Sequence, residues 1–245
     1  MKDTNRIDNC FVFRIFPSNC SMKKFALIVA GGSGTRMGGD VPKQFLEISG
    51  KPIIYHTARA FVEAFDDINI ILVFPADYLQ TGKTIFLDFV SKQPVQFAVG
   101  GVSRFHSVQN GMQLVDNSSV VFVHDAVRCL VSSKLIRSCY EQALIKGSAI
   151  PVITVNDSVR VIDNSGTSSP LNRDLLRSVQ TPQTFHSKIL LLAFQIDYKE
   201  KFTDEATVVE AYGLKVTLVE GEENNIKITT PVDLLIAEKI INERS

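Results

Sequence analysis

The sequence has no surplus of charge of either sign: 26 Lys and Arg residues balance 26 Asp and Glu residues, for a formal net charge of zero. It also has no long basic run, so the electrostatic footprint of a general nucleic-acid binder is missing, and any anionic ligand must be held by a local cluster of cations. Cysteine is scarce. The four present, Cys10, Cys20, Cys129 and Cys139, have neither the C-x-x-C spacing of a zinc or redox site nor the density of a disulfide scaffold, and read as ordinary thiols of a reducing compartment. No apolar run reaches the roughly 20 residues that span a bilayer, and the first residues lack the continuous apolar core of a secretory signal. Together these absences predict a cytoplasmic protein with neither nucleic acid nor a membrane among its partners.

Apolar residues are abundant enough for a core: 45% of the 245 residues are hydrophobic, and a chain of this length buries roughly 70 to 75% of its unfolded surface. Residues 1–21 mix charges with a short apolar patch at 11–16 and show no clean period. They are set apart as an N-terminal extension, with Met22 as an alternative start. From Lys24 onward, short apolar runs alternate with longer amphipathic stretches. Strands are predicted over 25–29, 68–74, 95–99, 120–123 and 149–152, and helices over 52–64, 78–90, 104–114 and 132–146, the last opened by the capping residue Ser132.

Strands that are apolar at nearly every position are buried on both faces. The alternation therefore implies an α/β fold, a Rossmann-like, mostly parallel sheet with helices on both faces. The pattern breaks after Pro151, where 157–166 alternates strand residues into an Asn164-Ser165-Gly166 turn. This predicts a β-hairpin arm near 152–172 that leaves the sheet and pairs with a second copy of the chain. Helices at 188–195 and 204–212, a strand at 215–219 and a closing helix at 231–241 complete the pattern. There is no internal repeat or low-complexity linker, so 22–245 reads as one domain.

The first strand runs into Ala30-Gly31-Gly32-Ser33-Gly34-Thr35-Arg36-Met37-Gly38-Gly39, a glycine-rich turn at the sheet edge where open α/β folds bind ligands. A P-loop would need Lys-Ser or Lys-Thr after the glycines, and a dinucleotide fingerprint would need glycine where Met37 stands. Both fail. What remains is a loop of backbone N–H donors with its own cation, Arg36, and a second cation, Lys43, shortly after it. That set suits a triphosphate; the alternative is a solvated surface turn. Asp125 ends an apolar strand at the same edge, and a carboxylate beside phosphates suggests Mg²⁺, which prefers hard oxygen ligands.

Several separate motifs stand in order: Ala30 to Met37 with Pro42-Lys43-Gln44; Gly100-Gly101 with Ser103-Arg104 and Ser107-Val108; Val123-His124-Asp125-Ala126 with Arg128; Gln180-Thr181-Pro182-Gln183; Thr203-Asp204-Glu205-Ala206; and Asn225-Ile226-Lys227-Ile228-Thr229. On these motifs the chain resembles the 2-C-methyl-D-erythritol 4-phosphate cytidylyltransferases of non-mevalonate isoprenoid synthesis, over essentially all of 24–241. The resemblance implies that Ala30, Gly31, Gly32 and Gly34 wrap the phosphates of CTP, and that Gly101, Arg104 and Ser107 line the cytosine side. It also implies that Arg36, Lys43 and Lys227 act on the reacting phosphates. Asp125 would sit near Mg²⁺ and the substrate, and Arg128, Arg173, Thr203 and Ser158 near the polyol phosphate, with Ser158 reaching across a homodimer. His124 is expected to be a packed or orienting residue and not a base.

The chain departs from the family pattern in places. Asn224 stands where many members carry an acid, which leaves a second metal carboxylate unassigned. Val102 follows Gly101 where relatives are often acidic, and the arm is slightly longer than in some. The expected reaction is transfer of CMP from CTP to the erythritol phosphate with release of diphosphate. The attacking phosphate is already anionic near neutral pH, so positioned cations should matter more than Ser, Cys or His chemistry. The alternatives are a ribitol-5-phosphate cytidylyltransferase and a nucleotide-binding relative without catalysis.

Overall fold

Strand β1, Lys23–Val29, is buried at every position after Lys23, so it needs neighbours on both edges and cover on both faces. It has them. In the structure, a computed structural model describing residues 22–31, 41–90 and 93–244, β1 lies between two parallel partners, the strands Ile68–Phe74 and Ser119–Asp125. The chain passes from β1 through the short hairpin strands β2 (Glu47–Ile48) and β3 (Lys51–Pro52) into helix α1 (Ile53–Ala64) and β4 (Ile68–Phe74). Helices α2 (Leu79–Ile85) and α3 (Leu87–Val90) precede β5 (Val95–Val99), followed by α4 (Arg104–Met112), β6 (Ser119–Asp125), α5 (Ser133–Lys146) and β7 (Ser148–Thr154). The arm strands β8 (Val159–Ile162) and β9 (Ser168–Leu171) follow, then β10 (Arg177–Val179), β11 (Gln183–His186), α6 (Ser187–Ala193), α7 (Glu205–Ala211), β12 (Leu218–Glu220) and α8 (Pro231–Arg244).

Alternate side chains of each central strand point to opposite faces. From β1 and β4, Ala26, Ile28, Ile70 and Leu72 join the core under α1 and α5, while Leu27, Val29, Ile71 and Val73 join the core under α4, α6 and α7. A third apolar cluster seats α8 through Ala237 on Ile48, Leu130 and Ile228. Among the described residues no helix is long and apolar enough to cross a membrane, and Cys129 and Cys139 are free, buried thiols.

The sheet order is β10-β7-β11-β6-β1-β4-β5, with β12 on β7. The mostly parallel α/β expectation holds, with three corrections. Strand β11, where no strand was expected, is inserted antiparallel between β6 and β7. The predicted helix 78–90 is broken at Phe86, which is fully buried beside Phe89 and Tyr55. The predicted strand 215–219 is laddered only over β12, from Leu218 opposite Ile150.

The register along β7 locates the site. Val179 of β10 pairs with Val152 and Thr184 of β11 pairs with Ala149, so five steps on one strand match three on the other. The two extra residues are taken up at 180–182, where the chain leaves the ladder and turns Gln180 and Thr181 inward.

Candidate functional site

The carboxyl ends of β1, β5 and β6 open onto two clefts that meet at one wall. The larger, about 290 Å³, is lined by Ala30, Gly31, Lys43, Gly101, Ser107 and Val127, among others. The smaller, about 190 Å³, is lined by Arg128, Gln180, Thr181, Gln183, Thr203 and Asp204. Arg104, Asp125 and Lys227 line both.

Local chemistry explains the first cleft. Gln44 donates from Nε2 to the carbonyl of Ala30 at 2.9 Å, tying the start of the glycine loop to the short 3-10 turn Lys43–Phe45, which buries Lys43 and Gln44. Ser103 caps α4, and within the same turn the Ser107 hydroxyl donates to the Ser103 carbonyl at 2.9 Å and accepts the Gly101 N–H at 3.1 Å. A Cβ on Gly101 would lie 2.3 Å from the Cβ of His106. The glycine therefore serves first to let the loop pack on α4, and its N–H is committed to Ser107.

Asp125 is the centre of the wall. Its carboxylate lies 2.8 Å from Lys227 Nζ, 3.4 Å from Arg104 Nε and 3.6 Å from Arg128 Nε. Burial would raise its pKa, but the charges of Arg104, Lys227 and Arg128 hold it well below the usual carboxylate range. Burial lowers the pKa of Arg128, whose Nη1 donates to the Asn225 carbonyl at 2.7 Å while its buried Nε has no hydrogen-bond partner. Arg104 is gripped from behind by Glu205, which is only 1% exposed: Nη1 bonds Oε1, and Nη2 bonds Oε2 at 3.0 Å.

His124 is fully buried, and burial lowers its pKa from 6.5 to about 4, so it is neutral at neutral pH. Its Nε2 lies 3.1 Å from the Arg128 carbonyl. A carbonyl only accepts, so Nε2 carries the proton and Nδ1 accepts from the Thr181 hydroxyl at 3.0 Å. The Thr181 oxygen in turn accepts the Asp125 N–H at 3.1 Å. The ring thus braces the 125–128 turn.

A second brace holds Lys227. Gln180 donates to the Glu222 carbonyl at 2.7 Å and accepts its N–H at 3.1 Å, and Asn225 donates from Nδ2 to the Thr181 carbonyl at 2.8 Å. The 222–227 segment is thereby pinned on the 180–182 break, leaving Lys227 half-exposed above Asp125.

The structure brings together Ala30, Gly31, Lys43, Gly101, Arg104, Ser107, Asp125, Arg128, Thr203 and Lys227 around the two clefts. Ser158 and Arg173 line neither. Both are exposed on the arm, where Arg173 donates to the Asn156 carbonyl. The expected roles of Gly32, Gly34 and Arg36 fall outside the described residues. Sequence reasoning gave no role to Glu205, Gln180, Gln183 or Asn225. All four stand inside quoted motifs, but their contacts lie across the fold. Among the described residues no three His, Cys, Asp or Glu side chains gather into a metal cage. Asn224, at the position of the missing acid, is exposed.

Comparison with known proteins finds relatives over nearly the whole of the described chain. A family model described as IspD, 2-C-methyl-D-erythritol 4-phosphate cytidylyltransferase, matches residues 25–243. The curated protein of that name from Phocaeicola vulgatus is 45% identical over 220 residues, covering 90% of this chain and 100% of the relative. The one from Bacteroides fragilis is 43% identical over the same shares. Among solved structures, the 4-diphosphocytidyl-2C-methyl-D-erythritol synthase of Anaerococcus prevotii superposes with a TM-score of 0.76 at 28% identity, covering 90% of this chain and 99% of that one. The Francisella tularensis cytidylyltransferase gives 0.74 at 30% identity, covering 89% and 99%.

Proposed function

Because the chain belongs to the 2-C-methyl-D-erythritol 4-phosphate cytidylyltransferase family, we propose that its larger cleft takes CTP, its smaller cleft takes the polyol phosphate, and the two react across the shared wall. The enzyme transfers CMP from CTP to 2-C-methyl-D-erythritol 4-phosphate, giving the 4-diphosphocytidyl product and diphosphate. The family membership sets aside the ribitol enzyme and the non-catalytic relative.

The observation that carries the division is the wall itself: Arg104, Asp125 and Lys227 face both clefts. Two anionic reactants meeting there need their charge balanced and their approach fixed, and no proton has to be removed from a phosphate oxygen whose second pKa is near 6. That oxygen attacks the α-phosphorus of CTP, the bond to the β-phosphate oxygen breaks, and diphosphate leaves. Lys227 lies where it balances charge on the α-phosphoryl group. Lys43, with Arg36 and the backbone N–H groups of Gly31, Gly32 and Gly34, accounts for the triphosphate; the Ala30 N–H is held by the Val73 carbonyl at 2.9 Å, so Ala30 serves as the anchored start of the loop. Gly101, Arg104 and Ser107 border the nucleoside side, and Arg128 and Thr203 the polyol phosphate.

A hard divalent cation fits the donor set here, since Asp125 remains an anionic oxygen ligand at the meeting of the clefts. Mg²⁺ is commonly held by one or two carboxylates with phosphate oxygens completing its shell. Asp125 would hold it, and the ion would neutralise charge on the bound triphosphate. The exposed arm, with Ile162, Leu171 and Leu175 uncovered, is suited to pair with a second copy in a homodimer and to carry Ser158 and Arg173 toward the partner's smaller cleft. The scarcity of cysteine and, among the described residues, the lack of a spanning helix fit a cytoplasmic enzyme.

The experiment is diphosphate release from CTP and Mg²⁺ with the erythritol phosphate and ribitol 5-phosphate in parallel. Turnover with the erythritol phosphate is expected; turnover with ribitol 5-phosphate alone would overturn the assignment. Removal of Lys227 as Lys227→Met should cost on the order of 3 kcal/mol in the transition state, about a hundredfold in kcat.

A further inference from the structure

We infer that Glu205 is a positioning residue for the transfer reaction: from beneath the wall it fixes the direction of Arg104, and so sets the approach of the two bound phosphates. This rests on the division of the clefts proposed above.

Glu205 touches neither cleft and is almost wholly buried, yet it uses both carboxylate oxygens on Arg104. A two-point contact between planar guanidinium and carboxylate fixes orientation as well as distance. The third nitrogen of Arg104, Nε, lies 3.4 Å from Asp125. Its guanidinium is thus stretched between two carboxylates, one on α7 and one at the end of β6.

Glu205 is itself held. It is the first residue of α7, whose N-cap Asp204 accepts from the Thr207 N–H in a reciprocal capping box. Gln183 of β11 then clamps that helix end from the sheet, donating to Asp204 Oδ2 at 2.8 Å and accepting the Ala206 N–H at 2.8 Å. The restraint therefore runs from the central sheet through Gln183 and the α7 cap to Glu205, and from there to Arg104.

Two consequences follow. Most of the charge of Arg104 is balanced by Glu205, so Asp125 keeps its closest pairing, 2.8 Å, for Lys227. Loss of the Glu205 charge would turn Arg104 toward Asp125 and set it in competition with Lys227. The effect should fall on the relative placement of the two reactants more than on the affinity for either, because Arg104 stands where the clefts meet.

The test compares wild type, Glu205→Gln, Arg104→Gln and the double variant in steady-state turnover, with circular dichroism to confirm folding and kcat referred to folded enzyme. Glu205→Gln is expected to lower kcat about 10- to 100-fold while the KM values for CTP and for the erythritol phosphate move less than about threefold. The double variant should be no slower than the slower single one, since the two side chains act as a unit. If Glu205→Gln does not fold, the double variant, which leaves no buried charge unpaired, carries the test with the same expected fall in kcat. Wild-type kcat in the folded variant, with only thermal stability lowered, would overturn the inference, as would additive losses. Absence of turnover by the wild type would instead overturn the assignment of the reaction.

Discussion

The wall between the clefts and the arm both carry arginines, but they satisfy them in opposite ways. At the wall, Arg104 is held between Glu205 and Asp125, which stand 101 and 21 residues away in sequence. On the arm, Arg160 bonds Ser168 and Arg173 bonds the Asn156 carbonyl. Among the described residues neither of these has a carboxylate partner. Charges paired across the fold are oriented by the whole sheet, while charges paired with their own loop keep their positive field for a surface brought up from outside.

The strongest way to break this contrast is at Asp125. Asp125→Asn leaves Arg104, Arg128 and Lys227 without their common counter-charge, so diphosphate release should fall by about 10² to 10³ and unfolding stability by about 3 to 5 kcal/mol. Steady-state assay and urea midpoints check the two together. Unchanged stability would mean that the wall is held by its hydrogen bonds alone.

A second effect of similar origin is expected from pH. Because His124 is buried neutral, its pKa falls from 6.5 to about 4 on folding, and between these values the unfolded chain binds the extra proton. Its contribution is intact above about pH 6.5 and is lost as the pH falls toward about 4, to a total near 3 kcal/mol. Urea unfolding at several pH values should show this loss, and His124→Gln should flatten the part of the slope that exceeds the carboxylate contribution.

The arm should give the smallest response. Arg160→Ala, with only Ser168 to lose, is expected to alter stability by less than about 0.5 kcal/mol. Ile162→Asp should likewise leave the subunit folded while abolishing the proposed homodimer, as read by sedimentation. A large loss of subunit stability in either would erase the distinction between the two regions.

The legible part of the protein was the part governed by local rules. Continuous apolar runs set β1, β4 and β6, the capping serine Ser132 opened α5, and the Asn164-Ser165-Gly166 turn closed the arm. Lys43 and Asp125 could be read from their places after the glycine loop and at a strand end, whereas Arg104, Arg128 and Lys227 were named through the family motifs that contain them. Glu205, Gln180 and Asn225 could not be given roles. An acid at the first turn of a helix reads as a favourable dipole partner, and buried amides carry no periodic signal.

The sequence by itself determined the alternation of strand and helix, the glycine loop at the first strand end and the inventory of cations, since each depends on residues close together in the chain. Only the tertiary structure decided which cations share a wall, because that depends on β11 entering antiparallel between β6 and β7 with two extra residues at 180–182. That register turns Thr181 toward His124 and Gln180 toward the 222–225 segment. Charges far apart in sequence thus come within ion-pair distance, an arrangement that becomes favourable only when the sheet has already fixed both sides.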